Sequence, residues 1–322
     1  MDIYDGLPKP DVPYAVGWRF AIQSHITPAP TPITLGCCLS EKTEREERMT
    51  LKPVERCLRH PPLAGSLGSS TVDLEILDLI RVGDEHNAQV FLVNVRATRS
   101  DSDYVHVNQK LVAKVYDPLY LDDDDGYVNP FSCVDQHYTH EVHAYHVLAR
   151  FQGNLIPRFY GSYSLDIPCD GSEKRTVRLF LIEYIPGRSM RQVNATRYPQ
   201  DTRQQIMKTV IDFESWAYQK DVVLTDLSPR NVMIVGCVSD EKRGVVFLDF
   251  AGTVFGRRLD EPMLAGSNLL LGQYISPLLR WKRDITWQFG EWIDWEWSSW
   301  MEAQYGHTAA LITDEMREKY CQ

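Results

Sequence analysis

Residues 222–234 read Val222-Val-Leu-Thr-Asp226-Leu-Ser-Pro-Arg-Asn231-Val-Met-Ile234. A carboxylate stands five residues before an amide, between a helical pattern and a short apolar strand. A second carboxylate, Asp249, lies near the end of the next apolar run, Gly244-Val-Val-Phe-Leu-Asp249-Phe250. Asn231 and Asp249 offer two hard oxygen ligands, which is what a Mg²⁺–phosphate site asks of a protein. Asp226 is then left to orient or deprotonate a hydroxyl nucleophile.

Upstream of this stretch, residues 201–220 place Ile206, Val210, Phe213 and Ala217 at helical spacing. Runs rich in Val, Leu and Ile at 74–80, 89–95, 110–116 and 177–185 read as strands, the last stopped by Pro186-Gly187. Residues 132–151 read as a helix with Glu141, Ala144, Tyr145 and Leu148 on one face. Residues 1–70 carry nine prolines and sustain no period, so they read as a partly disordered or irregular extension. Within them, the charged run 41–48 reads as an exposed helix laced by charge pairs. Downstream, a tryptophan-rich stretch reads as helical from about 287, with Trp292, Trp295 and Trp300 on a packed face.

Asp226…Asn231 and Asp249-Phe250-Ala251 resemble the catalytic loop and metal-binding motif of the protein-kinase-like superfamily, which includes the aminoglycoside and choline phosphotransferases. Upstream pieces follow in the family's order. Val112-Ala113-Lys114-Val115 resembles the strand of the phosphate-binding lysine, and Glu141 matches the helix glutamate that pairs with it. Ile182-Glu183-Tyr184-Ile185 resembles the hinge that hydrogen-bonds adenine through the main chain. Gly83 and Val90 frame the segment that matches the glycine loop. The tryptophan-rich tail is more similar to that of uncharacterised fungal kinase-like proteins.

The resemblance implies an α+β, two-lobed fold: a small antiparallel-sheet lobe plus one helix over 71–185, and a mainly helical lobe over 186–322. It implies ATP and Mg²⁺ as cofactors. Lys114, held by Glu141, would grip the α/β-phosphates, with Asn231 and Asp249 on the metal and Asp226 as base. Gly83, Val90, Ala113, Glu183 and Ile185 would line the nucleotide. Arg230 would supply charge in the catalytic loop, where Ser228 stands in place of a lysine.

Several positions depart from the family. Glu85 and Ala88 replace loop glycines, Leu224 replaces the histidine that opens the catalytic loop, and Ala251 replaces a glycine. Only 71 residues follow Ala251 and none spell A-P-E, which argues for a small-molecule hydroxyl acceptor over a protein. A pseudokinase that binds or regulates without transferring phosphate is the alternative, and an atypical protein kinase a third reading.

Composition bounds the rest. The chain has 322 residues, 43% hydrophobic and 24% charged, with a formal charge of −10. Such a chain buries a sizeable core, and its acidity argues against nucleic-acid or membrane-surface partners. Seven cysteines without a CxxC pair indicate reduced thiols, hence a cytoplasmic or nuclear protein without a signal peptide or membrane span. His137, His140, His143 and His146 recur every three residues but fan across half a helix, so one metal cannot collect all four. Asp122–Asp125 reads as a solvated loop.

Overall fold

The computed structural model describes residues 7–33, 36–84, 86–99, 104–121, 126–169, 173–236, 244–256, 270 and 272–320. Glu85, Asp122–Asp125, Cys237 and Cys321 lie outside the described residues. The chain forms two compact units. One comprises the residues up to His143 together with Arg158–Tyr184, and the other Ala144–Pro157 with everything from Ile185 onward. Strands and helices are mixed, with the sheet concentrated in the first unit. Among the described residues, no helix is long and apolar enough to cross a membrane.

The first unit is built on six strands: β1 (Arg19–Ile26), β2 (Ser66–Arg81), β3 (Gln89–Arg99), β4 (Lys110–Tyr116), β5 (Phe159–Pro168) and β6 (Lys174–Glu183). They close into an antiparallel barrel in the order β1-β2-β3-β4-β6-β5. Closure is narrow: β1 meets β5 through Gln23 opposite Ser164 and Ser24 opposite Tyr163. Alternate residues fill the interior, as the two-residue period of a strand requires. Val72, Leu74, Ile76, Phe91, Val93, Val95, Leu111, Ala113, Val115, Leu179 and Leu181 belong to one continuous core. Beyond β4, Asp117 receives both guanidinium nitrogens of Arg175, at 2.6 and 2.8 Å, and the Tyr14 hydroxyl at 2.6 Å. Every hydrogen bond in this buried cluster reaches a charged carboxylate, which offsets the desolvation of the ions.

Strand β4 is buried on both faces apart from its first residue. Leu111, Ala113 and Val115 point into the barrel, so Val112, Lys114 and Tyr116 share the opposite face. Glu141, on α3 (Pro130–Val147), meets that second face. The helix starts where Asn129 accepts the Phe131 and Ser132 amides on its side-chain oxygen, with Pro130 at the first helical position.

Residues 1–70 depart from the sequence expectation. Arg19–Ile26 is a barrel strand, and α1 (Lys42–Thr50) and α2 (Pro53–Arg59) are helices of the same unit. Among the described residues, these two α-helices join α3 in the first unit. The 41–48 run is the charge-paired helix its pattern indicates, exposed over most of its residues but with one face turned inward. Glu44 and Arg48 are buried, and Glu44 takes the guanidinium of Arg48 at 3.1 Å and that of Arg56 from α2.

The second unit is organised around α4 (Gln200–Gln219), whose Ile206, Met207, Val210, Ile211, Phe213 and Ala217 are fully buried. Phe213 stacks on Phe247 with ring centroids 4.1 Å apart and planes 11° from parallel. Short strands β7 (Arg188–Ser189), β9 (Val232–Ile234) and β10 (Val245–Phe247) form one sheet, and β8 (Val222–Val223) pairs with β11 (Val254–Phe255). The tryptophan-rich stretch is not one helix. A 3₁₀ segment ends at Trp292 and an α-helix runs from Trp297 to Tyr305. The break has a cause: Arg203 on α4 donates to the Trp292 carbonyl at 3.3 Å and to the Asp294 carboxylate at 2.7 Å, drawing the backbone out of helical register. Trp292, Trp297 and Trp300 are buried, so these indoles are core.

Asp135 of α3 is a pH-sensitive carboxyl of the first unit. Burial pushes its pKa from 3.8 to about 6, against the opposing pull of the Leu63 N–H and Arg178. The folded state thus favours the neutral acid, and its stability falls as pH rises from about 4 to about 6, then levels. The displacement is worth at most ~3 kcal/mol. Asp135→Asn keeps an oxygen for the Leu63 amide and removes the charge. It is expected to raise the urea midpoint at pH 7 and to flatten stability between pH 4 and 6. An unchanged midpoint at pH 7 would show the carboxylate to be well solvated.

Candidate active site

The polar side chains singled out in the sequence fall into two groups, one in each unit. In the first unit, the Lys114 ammonium donates to Glu141 Oε2 at 2.6 Å, and the Tyr116 hydroxyl donates to the same oxygen. Lys114 is 5% exposed and Glu141 1%. Tyr116 lies two residues beyond Lys114, on the same face of β4, and the ammonium also sits 5.6 Å from its ring centroid. The tyrosine was readable from the alternation of the strand, yet it carries no motif signature and sequence reasoning passed over it.

Gly83, at φ +148°, lies in a turn that a side chain holds in shape. Gln89, fully buried, accepts the Gly83 amide and donates to the Gly83 carbonyl, both at 2.8 Å. One residue on, Val90 stands opposite Lys114 in the β3–β4 register. Ala113 is buried in the barrel between Phe91 and Leu181 on the neighbouring strands. At the end of β6, the Glu183 amide donates to the Arg158 carbonyl at 2.9 Å, and its carboxylate accepts the Arg158 amide at 3.0 Å. Ile185 is buried and is the first residue of the second unit's long segment.

In the second unit, Asp226 Oδ2 accepts Arg230 Nη2 at 2.7 Å and Asn231 Nδ2 at 2.9 Å. Asn231 Nδ2 also donates to the Asp226 carbonyl at 2.9 Å. Both partners of the amide nitrogen are acceptors, so the network itself orients the Asn231 amide. Asp226 Oδ1 has only a long contact, 3.5 Å from the Ser228 hydroxyl, so it is the oxygen available to a substrate proton. The Arg230 guanidinium is held more firmly protonated than usual, first by its hydrogen bond to Asp226 and then by the charges of Asp226 and Asp249. Its side chain is 58% exposed, so the pair is worth under about 1 kcal/mol and yields readily to a ligand.

Asp249 has φ +64°, in the left-handed region that side chains seldom occupy. Aspartate tolerates it better than most residues, and such strain clusters at functional sites. The turn is anchored on both sides. The Leu248 amide donates to the Asn231 carbonyl at 2.8 Å, and the Thr225 hydroxyl donates to the Gly252 carbonyl at 2.7 Å. Thr225 thereby ties the Asp226 loop to the Asp249 turn, a role with no motif signal. Behind them, Phe250 packs edge-on against Tyr145 at 5.4 Å. Asp226, Asn231 and Asp249 border one recess of about 10 Å³, room for a single water-sized sphere and none for a nucleotide base. Its two carboxylates and one amide oxygen suit a hard divalent cation. Among the described residues, no group of three or more His, Cys, Asp or Glu side chains could hold a metal ion.

No family model matches the chain, and neither does any curated protein. Among solved structures, the chain is similar to the crystal structure of Rad53 1–466 in complex with AMP-PNP, at 17% identity and a TM-score of 0.36. That match covers 55% of this chain and 38% of the other, so the chain spans well under half of the structure it matches.

The clamp on Gly83 has a measurable consequence. Gln89→Leu keeps the volume and deletes two hydrogen bonds of about 1 kcal/mol each, which together correspond to roughly 30-fold in local opening. Hydrogen exchange across 82–90 should accelerate by that order while the rest of the barrel is unaffected. Unchanged exchange would show that the turn is held by other contacts.

Proposed function

We propose that the chain is an ATP- and Mg²⁺-dependent phosphotransferase of kinase-like fold, acting on a hydroxyl group and more plausibly on a small molecule than on a protein. The observation that carries the reading is the arrangement around Asp226. Its Oδ2 is fixed by Arg230 and Asn231 while Oδ1 has a single long contact, to Ser228, and Asn231 and Asp249 line the same recess. A base with one oxygen anchored and one available, beside two hard-cation ligands, is what transfer from a metal-bound polyphosphate to a hydroxyl requires.

Each residue then has one task. Lys114 takes the α/β-phosphates, with Glu141 and Tyr116 fixing its ammonium. Asn231 Oδ1 and the Asp249 carboxylate hold Mg²⁺, which when bound neutralises charge on the transferring phosphate. Asp226 Oδ1 accepts the acceptor's proton, and Arg230 swings from Asp226 toward the incoming anionic group. Gly83, Val90, Ala113, Glu183 and Ile185 are assigned to the nucleotide. Leu224 replaces a hydrogen-bonding histidine at the head of the loop, and the Thr225–Gly252 bond supplies the link between loop and turn by another route.

Transfer from γ-labelled ATP to a panel of metabolite hydroxyls, run beside generic protein substrates, tests the reading. Asp226→Asn should lower turnover ~10²–10⁴-fold with nucleotide affinity nearly unchanged. Asp249→Ala should instead remove the Mg²⁺ dependence of ATP binding. Wild-type turnover in Asp226→Asn would sink the assignment of the base, and transfer to protein substrates alone would overturn the small-molecule acceptor.

A further inference from the structure

Five arginines are buried among the described residues, and four of them reach a carboxylate. Arg48 and Arg56 share Glu44, Arg175 pairs with Asp117, and Arg203 pairs with Asp294. Arg178, on β6, makes no ion pair among the described residues. Its Nη1 donates to the Ser164 hydroxyl, its Nη2 donates to the Leu63 carbonyl at 3.1 Å, and its Nε is buried without a hydrogen-bond partner. A guanidinium carries five N–H donors, so most of this one's capacity is unspent. Burial draws its pKa down further than the charges of Tyr138, Asp135 and Asp166 hold it up. Such a cation is costly to keep unless an anion joins it.

Arg178 lines a cavity of about 720 Å³, and the sheet topology explains why a cavity forms there. Strands β1 and β5 pair through Gln23 with Ser164 and Ser24 with Tyr163, and the register stops there. Beyond that point Trp18–Ile22 on one segment and Leu165, Asp166 and Pro168 on the other line the same space. Val177 and Leu179 belong to the barrel core, so Lys174, Thr176 and Arg178 of β6 lie on the opposite, outward face. The volume falls within the ~300–1,000 Å³ of small-molecule sites. None of the residues assigned to nucleotide, metal or base lines it.

The lining carries three cations and one anion. Arg19 is engaged by Glu75 at 3.4 Å, and Asp166 accepts the Thr176 hydroxyl at 2.8 Å. Lys174 is exposed and makes no ion pair among the described residues. With Arg19 engaged, Lys174 and Arg178 exceed Asp166 by a single charge, which suits a monoanion better than a phosphate dianion. The apolar part is continuous with the charged part. Trp18 stacks on Phe20 with ring centroids 4.6 Å apart, and Ile22 and Leu165 add aliphatic surface.

We infer that this cavity binds a small carboxylic acid, its carboxylate on Arg178 and Lys174 and its aromatic or aliphatic body along Trp18, Phe20, Ile22 and Leu165. A planar carboxylate takes two parallel N–H bonds from one edge of a guanidinium, which adds direction to charge. Ser164 and the Leu63 carbonyl already hold the Arg178 side chain, so binding orders little at the charged end.

Calorimetric titration of the full-length chain with octanoate and with 3-phenylpropionate tests the inference, with the primary amide of each acid and inorganic phosphate as controls. Saturable one-site binding of at least one acid is expected, with its amide about tenfold or more weaker. Ala21→Trp fills the cavity from an exposed position and should abolish the binding, and Lys174→Glu should weaken it. Arg178→Gln keeps a donor for the Leu63 carbonyl and should erase the preference for acid over amide. Absence of binding by both acids at millimolar concentration overturns the proposal. Amides that bind as tightly as their acids, phosphate that binds more tightly than either acid, or an affinity unchanged in Ala21→Trp do the same. If Arg178→Gln does not fold, the two variants at exposed positions decide.

Discussion

The ion pair between Lys114 and Glu141 sets the terms for the first unit. Strand β4 is buried apart from its first residue, and Lys114 is 5% exposed, so little water competes for its ammonium. Left unpaired there, a charge would cost about 3–5 kcal/mol. Glu141 removes that cost only if α3 lies in one rotational setting against β4, and Tyr116 on the same face donates to the same carboxylate oxygen. The Asn129 cap and Pro130 fix where the helix begins, and so where its twelfth residue, Glu141, falls. Strand alternation and helix phase thus meet at a single oxygen atom.

The second unit solves a different problem, that of holding like charges near each other without the fold spreading. Asp226 and Asp249 border one recess, and both add to the field that keeps Arg230 protonated. Asn231 makes the arrangement specific, because its nitrogen serves Asp226 twice and its oxygen is thereby assigned a direction. The backbone at Asp249 is forced into the left-handed region, and the Leu248 and Thr225 bonds on either side hold it there. Local strain is carried by neighbouring hydrogen bonds and by the packed Phe213, Phe247 and Phe250 beneath.

Much of this was legible in the sequence where a period or a motif isolates a residue. The helix phase of Glu141 with Ala144, Tyr145 and Leu148 follows from spacing, and all four are buried. Asp226, Arg230 and Asn231 fall within six residues, so any loop closing over them brings their side chains together. Signals that depend on distant partners were not legible. Strand β1 alternates buried and exposed residues, but prolines on either side mask it, and its barrel role needs β2 and β5. Glu44, Arg48 and Arg56 look like a solvated charge run because composition cannot show two arginines sharing one buried carboxylate. Gln89, Tyr116 and Thr225 carry no family signature, and each matters only through the backbone or carboxylate it reaches.

The proposed function requires nucleotide binding that depends on a divalent cation. The most direct measurement is the melting temperature of the wild-type chain with ATP, with and without Mg²⁺. Binding stabilises the folded state as RT ln(1 + [L]/Kd), so millimolar ATP at a Kd tenfold lower adds about 1.4 kcal/mol, a shift of a few degrees. The account predicts that this shift depends on Mg²⁺ and vanishes with a chelator. No stabilisation by millimolar ATP with Mg²⁺ present would contradict it.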